Sequence, residues 1–136
     1  RVGGQIFAGL PISGSDTGDY LVRNLVGIAP ANRLIAIGEL LQPGSSVMFC
    51  RRDTKTAHED MQRMLDSIRQ GMYARPRGGV YYSCIGRGAS LFGPDSAELK
   101  MIREVLGEFP LVGFFCNGEI SHNRLYGYTG VLTLFI

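Results

Sequence analysis

The stretch G-G-V-Y-Y-S-C-I-G-R-G, residues Gly78 to Gly88, decides how the rest of the chain is read. Val80, Tyr82 and Cys84 alternate with Tyr81, Ser83 and Ile85, the two-residue period of a strand. Gly86 and Gly88 end the run and let the backbone approach another group closely. Arg87, held between them just past the strand, is placed to receive an anion, and its guanidinium favours the thiolate of nearby Cys84. A plainer reading stands beside this one: Cys84 is a core residue, and Arg87 pairs with a carboxylate of the protein itself.

Working outward, Asp53 or Thr54 can cap a helix just upstream, with Thr56 and Glu59 as an alternative capping box. Ala57, Met61, Met64, Leu65, Ile68 and Met72 form one apolar stripe along it, while Glu59, Asp60, Arg63, Asp66 and Arg69 lie off the stripe. Methionines at this spacing are gap-filling core residues before they are a cofactor site. The helix is over by Ala74-Arg75-Pro76. Downstream of Arg87, G-A-S-L-F-G-P reads as a loop, and Asp95 or Ser96 caps a second helix with Glu98 in its first turn. Leu99, Ile102, Val105 and Leu106 are its stripe. Leu111 to Cys116, L-V-G-F-F-C, is the continuous apolar run expected of a strand covered on both faces. Asn117-Gly118-Glu119 breaks it, the polar turn S-H-N-R follows, and Tyr126 to Ile136 is the last strand.

Toward the N-terminus, Gln5 to Ile12 reads as an edge strand closed by Pro11 and the turn S-G-S-D-T-G-D. Tyr20 to Ile28 and Leu34 to Leu41 read as a hairpin about A-P-A-N, and Ser45 to Arg51 as a further strand after Pro43-Gly44. The order is three strands, then β-α-β-α-β, then a final strand. Helix-linked strands tend to lie parallel with right-handed crossovers and turn-linked ones antiparallel. The expected fold is α+β: a mixed β-sheet of six to seven strands with two helices and an antiparallel last strand, forming a single domain over residues 1–136.

Composition narrows the function. The 136 residues, 45% hydrophobic, suffice for one domain with a real core. Fourteen basic against twelve acidic residues leave a formal charge of +2, too weak a field to argue for nucleic acid or an anionic membrane. No apolar run approaches the ~20 residues of a membrane span, and no signal-peptide pattern opens the chain. Cys50, Cys84 and Cys116 are an odd number, widely spaced, which suits a reducing, cytoplasmic compartment and neither a disulfide framework nor a metal knuckle. His58 and His122 read as solvated and supply no further metal ligand, so neither a metal nor a cofactor is expected. The chain opens with R-V-G-G-Q and without Met, and reads as one part of a longer protein.

If the strands ending near Arg51, Ile85 and Cys116 are parallel, their carboxyl ends share one edge, where such sheets bind ligands. That edge would gather Cys50, Arg51 and Arg52, then Cys84 and Arg87, then Cys116, Asn117 and Glu119. G-R-G-A-S-L lacks the third glycine of a dinucleotide fingerprint and the lysine of a phosphate loop. Cys84 has no His beside it in sequence, so no catalytic residue is assigned. An Arg fork matches a carboxylate and Glu119 an ammonium group, so the edge suits a small zwitterion such as an amino acid. The competing reading is that Arg87 and Glu119 simply pair with each other.

S-C-I-G-R-G at 83 to 88, P-L-V-G-F-F-C-N-G-E-I at 110 to 120, Y-G-Y-T-G-V-L-T-L-F at 126 to 135 and Y-L-V-R-N at 20 to 24 together resemble the C-terminal domain of the FIST family, the F-box and intracellular signal transduction proteins. The resemblance runs in order along nearly the whole chain. It implies a sensory, ligand-binding module found beside signalling outputs in bacteria and archaea and beside an F-box in a eukaryotic ubiquitin-ligase adaptor. The ligands it implies are small molecules such as amino acids. The family motif carries onto Cys84, Gly86 and Arg87, then onto Gly113, Gly118, Glu119 and Thr129. Family members often carry a His shortly before the final Y-T or N-T pair, where this chain has Tyr126, which still offers a hydroxyl. The N-terminal domain usual in the family is not in this chain.

The resulting expectation is a small-molecule sensor whose ligand-binding residues are Cys84, Gly86, Arg87, Asn117, Gly118, Glu119 and Tyr126. Its expected partners are the N-terminal FIST domain and a signalling output domain or protein. Two alternatives stay open. One is a thiol-reactive switch or enzyme using Cys84. The other is an interaction module that docks a partner, or a second copy as a homodimer, through the sheet edge or the basic stretch Arg75 to Arg77.

Overall fold

A computed structural model of the chain describes residues 6–12 and 20–136. Gln5 and the turn S-G-S-D-T-G-D lie outside the described residues. The chain divides into two compact units, Arg1–Arg52 and Asp53–Ile136.

The first unit is an antiparallel sheet of β1 (Ile6–Pro11), β2 (Tyr20–Ala29), β3 (Leu34–Ile37) and β4 (Met48–Arg51), in the order β3-β2-β1-β4. The expected hairpin is β2–β3, pairing Ala29 with Leu34 and Ile28 with Ile35, with a bulge between Leu25 and Gly27. Its connection is a single 3-10 turn, Pro30–Asn32, in which proline's fixed φ suits the first helical position and Arg33 closes the turn at φ 55°. β3 is shorter than the apolar pattern predicts: past Ile37 the link to β2 is carried by Gly38 N, which donates to Asn24 O at 3.0 Å, and by Glu39, which accepts from Arg23 Nε at 2.9 Å. β4 begins late because Ser45 is still in a turn, its N–H donating to the Gln42 carbonyl at 3.0 Å.

The second unit holds α1 (Thr54–Gly71), β5 (Gly78–Cys84), α2 (Gly88–Phe92), α3 (Ala97–Leu106), β6 (Leu111–Cys116), β7 (Glu119–Ser121), β8 (Arg124–Tyr126) and β9 (Gly130–Phe135). β6, β5 and β9 form a mixed sheet in the order β6-β5-β9, with β6 parallel and β9 antiparallel to β5. The expected mixed sheet and antiparallel last strand are therefore present, and the fold is α+β. The difference is in how the strands are shared out. β4 pairs antiparallel with β1, Phe7 opposite Cys50, and lies in a different sheet from β5. The helical link after β4 predicts a parallel neighbour, but strand pairing is settled by non-local packing that a local pattern does not carry.

Asp53 caps α1 as expected, its carboxylate accepting from Thr56 N at 3.1 Å. Met61 and Leu65 are buried, and Ala57, Met64, Ile68 and Met72 pack beside them, so the methionine stripe is core. That core continues through Tyr81, Phe92, Ile102, Leu106 and Phe109. Ser96 stands at the N-cap of α3 but at φ 56° and with no capping bond from its side chain, contrary to its expected role. The expected loop after Arg87 contains the short helix α2, which sends Phe92 inward.

β6 corrects a second expectation. Its apolar run predicts cover on both faces, yet it is an edge strand, with Val112 68%, Phe114 64% and Phe115 59% exposed. The predicted last strand is divided: β8 pairs with β7 as a separate small hairpin, and only Gly130–Phe135 joins β5. Among the described residues no helix is long and apolar enough to cross a membrane.

Candidate functional site

Consecutive residues of a strand point to opposite faces of its sheet, so the end of β5 addresses two environments. Tyr81 and Ser83 point to the helical side and Cys84 to the other.

On the helical side stands Glu98, from the first turn of α3 and only 4% exposed. Its Oε1 accepts from Tyr81 Oη at 2.6 Å and from Arg87 Nε at 2.8 Å. Its Oε2 accepts from Ser83 Oγ and from Gly88 N, each at 3.2 Å. Arg87 also lies over the Phe92 ring, 4.6 Å from its centroid, and one Nη approaches Met61 Sδ at 3.9 Å. Burial pushes the Tyr81 phenol well above its ordinary range; Arg87 opposes that shift and the bond to Glu98 adds to it. Arg87 thus belongs to a filled, charge-balanced network. Its ion-pair partner is Glu98 and not Glu119, and the sheet separates the two carboxylates.

On the other side, the parallel register sets Cys84 beside Cys116. Cys116 Sγ donates to Glu119 Oε1 at 3.2 Å, and Thr129 Oγ1 donates to Glu119 Oε2 at 2.7 Å. Glu119 is 3% exposed, and among the described residues no cationic side chain pairs with it. Its cross-strand partner in the β7–β8 hairpin is Tyr126, which the register places on the same face. Burial, the bond to Glu119, the charge of Glu119 and the neighbouring Cys84 push the Cys116 thiol up to about 11. A carboxylate accepts at about four lone-pair sites, and two donors occupy Glu119, so it keeps acceptor capacity that Glu98 has spent.

The glycines hold this corner together. A Cβ on Gly86 would come within 2.9 Å of the Tyr128 ring, and Gly118 turns the chain into β7 at φ 125°, where a side chain is strained. Asn117, beside it, is exposed.

The structure therefore brings together Cys84, Glu119 and Tyr126, with Gly86, Asn117 and Gly118 in the surrounding turns, and sets Arg87 apart from them. Cys50 belongs to the first unit and to a different sheet from β5 and β6; its thiol donates to Phe7 O at 3.7 Å and burial raises its pKa. Arg51 and Arg52 belong to that unit too. A broad open groove along α1, lined by His58, Glu59, Gln62, Arg63 and Asp66, shares no residue with the Glu119 corner. Among the described residues no group of three His, Cys, Asp or Glu side chains is placed to hold a metal ion.

Two residues have roles that the sequence reading misses. Glu98 looks like a first-turn acid complementing the helix dipole, but it lies in line with Ile102 and Leu106 at four-residue steps, the buried stripe, and that alignment is its signal. Cys116 is visible as a strand end, while its pairing with Cys84 depends on register.

A parallel strand pair whose ends carry a partly unspent buried carboxylate, backed by a helical layer, defines an α+β domain with its polar site at the carboxyl ends of the strands. The model of the FIST C domain matches residues 3–122, and the chain belongs to that family. The family is associated with sensory domains of signal transduction. Among its relatives are the uncharacterized protein Rv0628c of Mycobacterium tuberculosis, 37% identical over 123 residues, and the uncharacterized protein Mb0898c of Mycobacterium bovis, 34% identical over 123 residues. Each alignment covers 88% of this chain and 32% of the relative, so the chain spans about a third of the length of the curated relatives it matches.

Proposed function

We propose that this chain is the small-molecule-binding part of a cytoplasmic signal-transduction protein, and that Glu119 recognises the ammonium group of an amino acid or a similar small ligand. The observation that carries this reading is a buried carboxylate with two neutral donors and no cation among the described residues. An ammonium group brings three donors and the missing positive charge. Tyr126 offers a hydroxyl beside it, and the exposed turn Asn117-Gly118 supplies an amide and backbone N–H groups for the ligand's carboxylate. Arg87, the first expectation for that carboxylate, is committed to Glu98 and acts by fixing the loop that follows β5. The N-terminal FIST domain and a signalling output are the partners this reading implies.

The test is a thermal-shift panel of amino acids, the corresponding decarboxylated amines and the corresponding deaminated acids. A ligand held by the native state alone raises Tm. Shifts confined to ammonium-bearing compounds support the reading, and shifts with the deaminated acids alone refute it.

A further inference from the structure

We propose that Cys84 and Cys116 form a dithiol site that reacts with a low-molecular-weight disulfide and closes reversibly into a Cys84–Cys116 disulfide. The two residues are the final register pair of β5 and β6, and both are free thiols. Neighbouring strands lie about 4.8 Å apart, inside the Cα separation of roughly 4.4–6.8 Å that a disulfide spans, so the two backbones stand within bridging distance. Register partners in a parallel pair point to the same face, so the two side chains leave the sheet on one side at neighbouring positions. Their environments differ in a way that orders the steps. Cys116 is on the edge strand and partly exposed, while Cys84 is 5% exposed on the central strand. The carboxylate of Glu119, 3.2 Å from Cys116 Sγ, accepts the thiol's hydrogen bond and helps hold it protonated, so the first attack is slow at neutral pH and quickens as the pH rises above 9.

The chemistry balances with the small disulfide as oxidant. Cys116 loses its proton and attacks one sulfur of the reagent; the reagent's S–S bond breaks, a mixed disulfide forms on Cys116, and one small thiolate leaves. Cys84 loses its proton and attacks the Cys116 sulfur; the mixed disulfide breaks, the Cys84–Cys116 bond forms, and a second small thiolate leaves. The two protein thiols give up two electrons and two protons, and the reagent becomes two thiols. Side chains on parallel strands stay about as far apart as the strands, wider than the ~3.8 Å Cβ spacing of a relaxed disulfide, so the bond is strained and easily reduced. Closure also takes from Glu119 the thiol proton it accepts, so oxidation changes the hydrogen bonding of the carboxylate at the candidate site. The proposal does not depend on which ligand Glu119 takes.

The experiment treats the folded chain with oxidised glutathione and reads intact mass and peptide maps. The expected product has lost two hydrogen atoms, maps to a Cys84–Cys116 cross-link, leaves Cys50 unmodified and returns to the starting mass with a dithiol reductant. Cys84→Ser, shown to be folded by circular dichroism, should stop at a stable glutathione adduct on Cys116. Phenylarsine oxide, which bridges two adjacent thiols, provides a check on the unmutated protein: one equivalent should protect Cys84 and Cys116 together from alkylation. A wild-type chain that accumulates glutathione adducts without losing two hydrogens, or that resists both reagents, overturns the proposal.

Discussion

Glu98 and Glu119 are both buried carboxylates of the second unit, 4% and 3% exposed, yet they stand in opposite chemical situations. Glu98 collects Tyr81, Ser83, Arg87 and the backbone of Gly88, one of them a cation. Glu119 collects one thiol and one hydroxyl. Burying a charge is costly unless it is paired and hydrogen-bonded. Glu98 meets that condition with the protein's own groups. Glu119 meets it partly, and the remainder is what a ligand can supply. Burial alone therefore does not separate a structural carboxylate from a recognition site. Under the proposed function, the inventory of donors around each one does.

Four substitutions separate the two carboxylates experimentally. Glu98→Ala leaves the Arg87 guanidinium without its partner and orphans two hydroxyls, and should cost about 3–5 kcal/mol of stability. Urea unfolding measures it, and a loss below about 1 kcal/mol would mean the network is weaker than its geometry. Arg87→Ala should cost about 3 kcal/mol, the low end of that range, because Glu98 keeps three neutral donors. Glu119→Gln should cost only about 1 kcal/mol, since the amide still accepts one bond. It should also lower the Cys116 pKa from about 11 toward 9.0, read by thiolate absorbance against pH. Thr129→Val, which removes one neutral bond to Glu119, should cost about 1 kcal/mol or less.

The same thiol gives a pH dependence. Its pKa is raised in the fold from 9.0 to about 11, so the folded state keeps a proton that the unfolded chain loses. Its contribution to stability is intact below pH 9 and is lost as the pH climbs toward 11. Tyr81, whose pKa is also raised, adds a loss that begins higher, above its ordinary value of 10.0. Stability curves of the wild type and Cys116→Ser should therefore converge as the pH rises from 9 to 11.

How far this could be read from the chain depends on how local each feature is. β5, α1 and the stripe of α3 are periodic over enough residues to announce themselves, and Asp53 caps α1 by a rule that acts within four residues. β7 and β8 are three residues each, too short to show an alternation, so the sequence reads Glu119 as a break, S-H-N-R as a turn and Tyr126 as the start of the last strand, and misses the hairpin that places Tyr126 opposite Glu119. The division of strands between two sheets was illegible for a different reason, since pairing β4 with β1 joins residues 39 to 45 positions apart. At the site, Cys84, Glu119 and Tyr126 were legible and do come together. Arg87 was legible as an anion receptor, and it receives one, but the anion is Glu98. The face on which each residue of β5 emerges decides that outcome, and it follows from the strand period once Glu98 is recognised on the buried side of α3.

On the proposed function, Glu119 and not Arg87 is the group that meets a ligand. Calorimetric titration of wild type, Glu119→Gln and Arg87→Lys with the amino acid giving the largest thermal shift tests it most directly. Binding abolished in Glu119→Gln and retained in a folded Arg87→Lys is the predicted result. Binding retained in Glu119→Gln and lost in folded Arg87→Lys would contradict it and return recognition to the guanidinium.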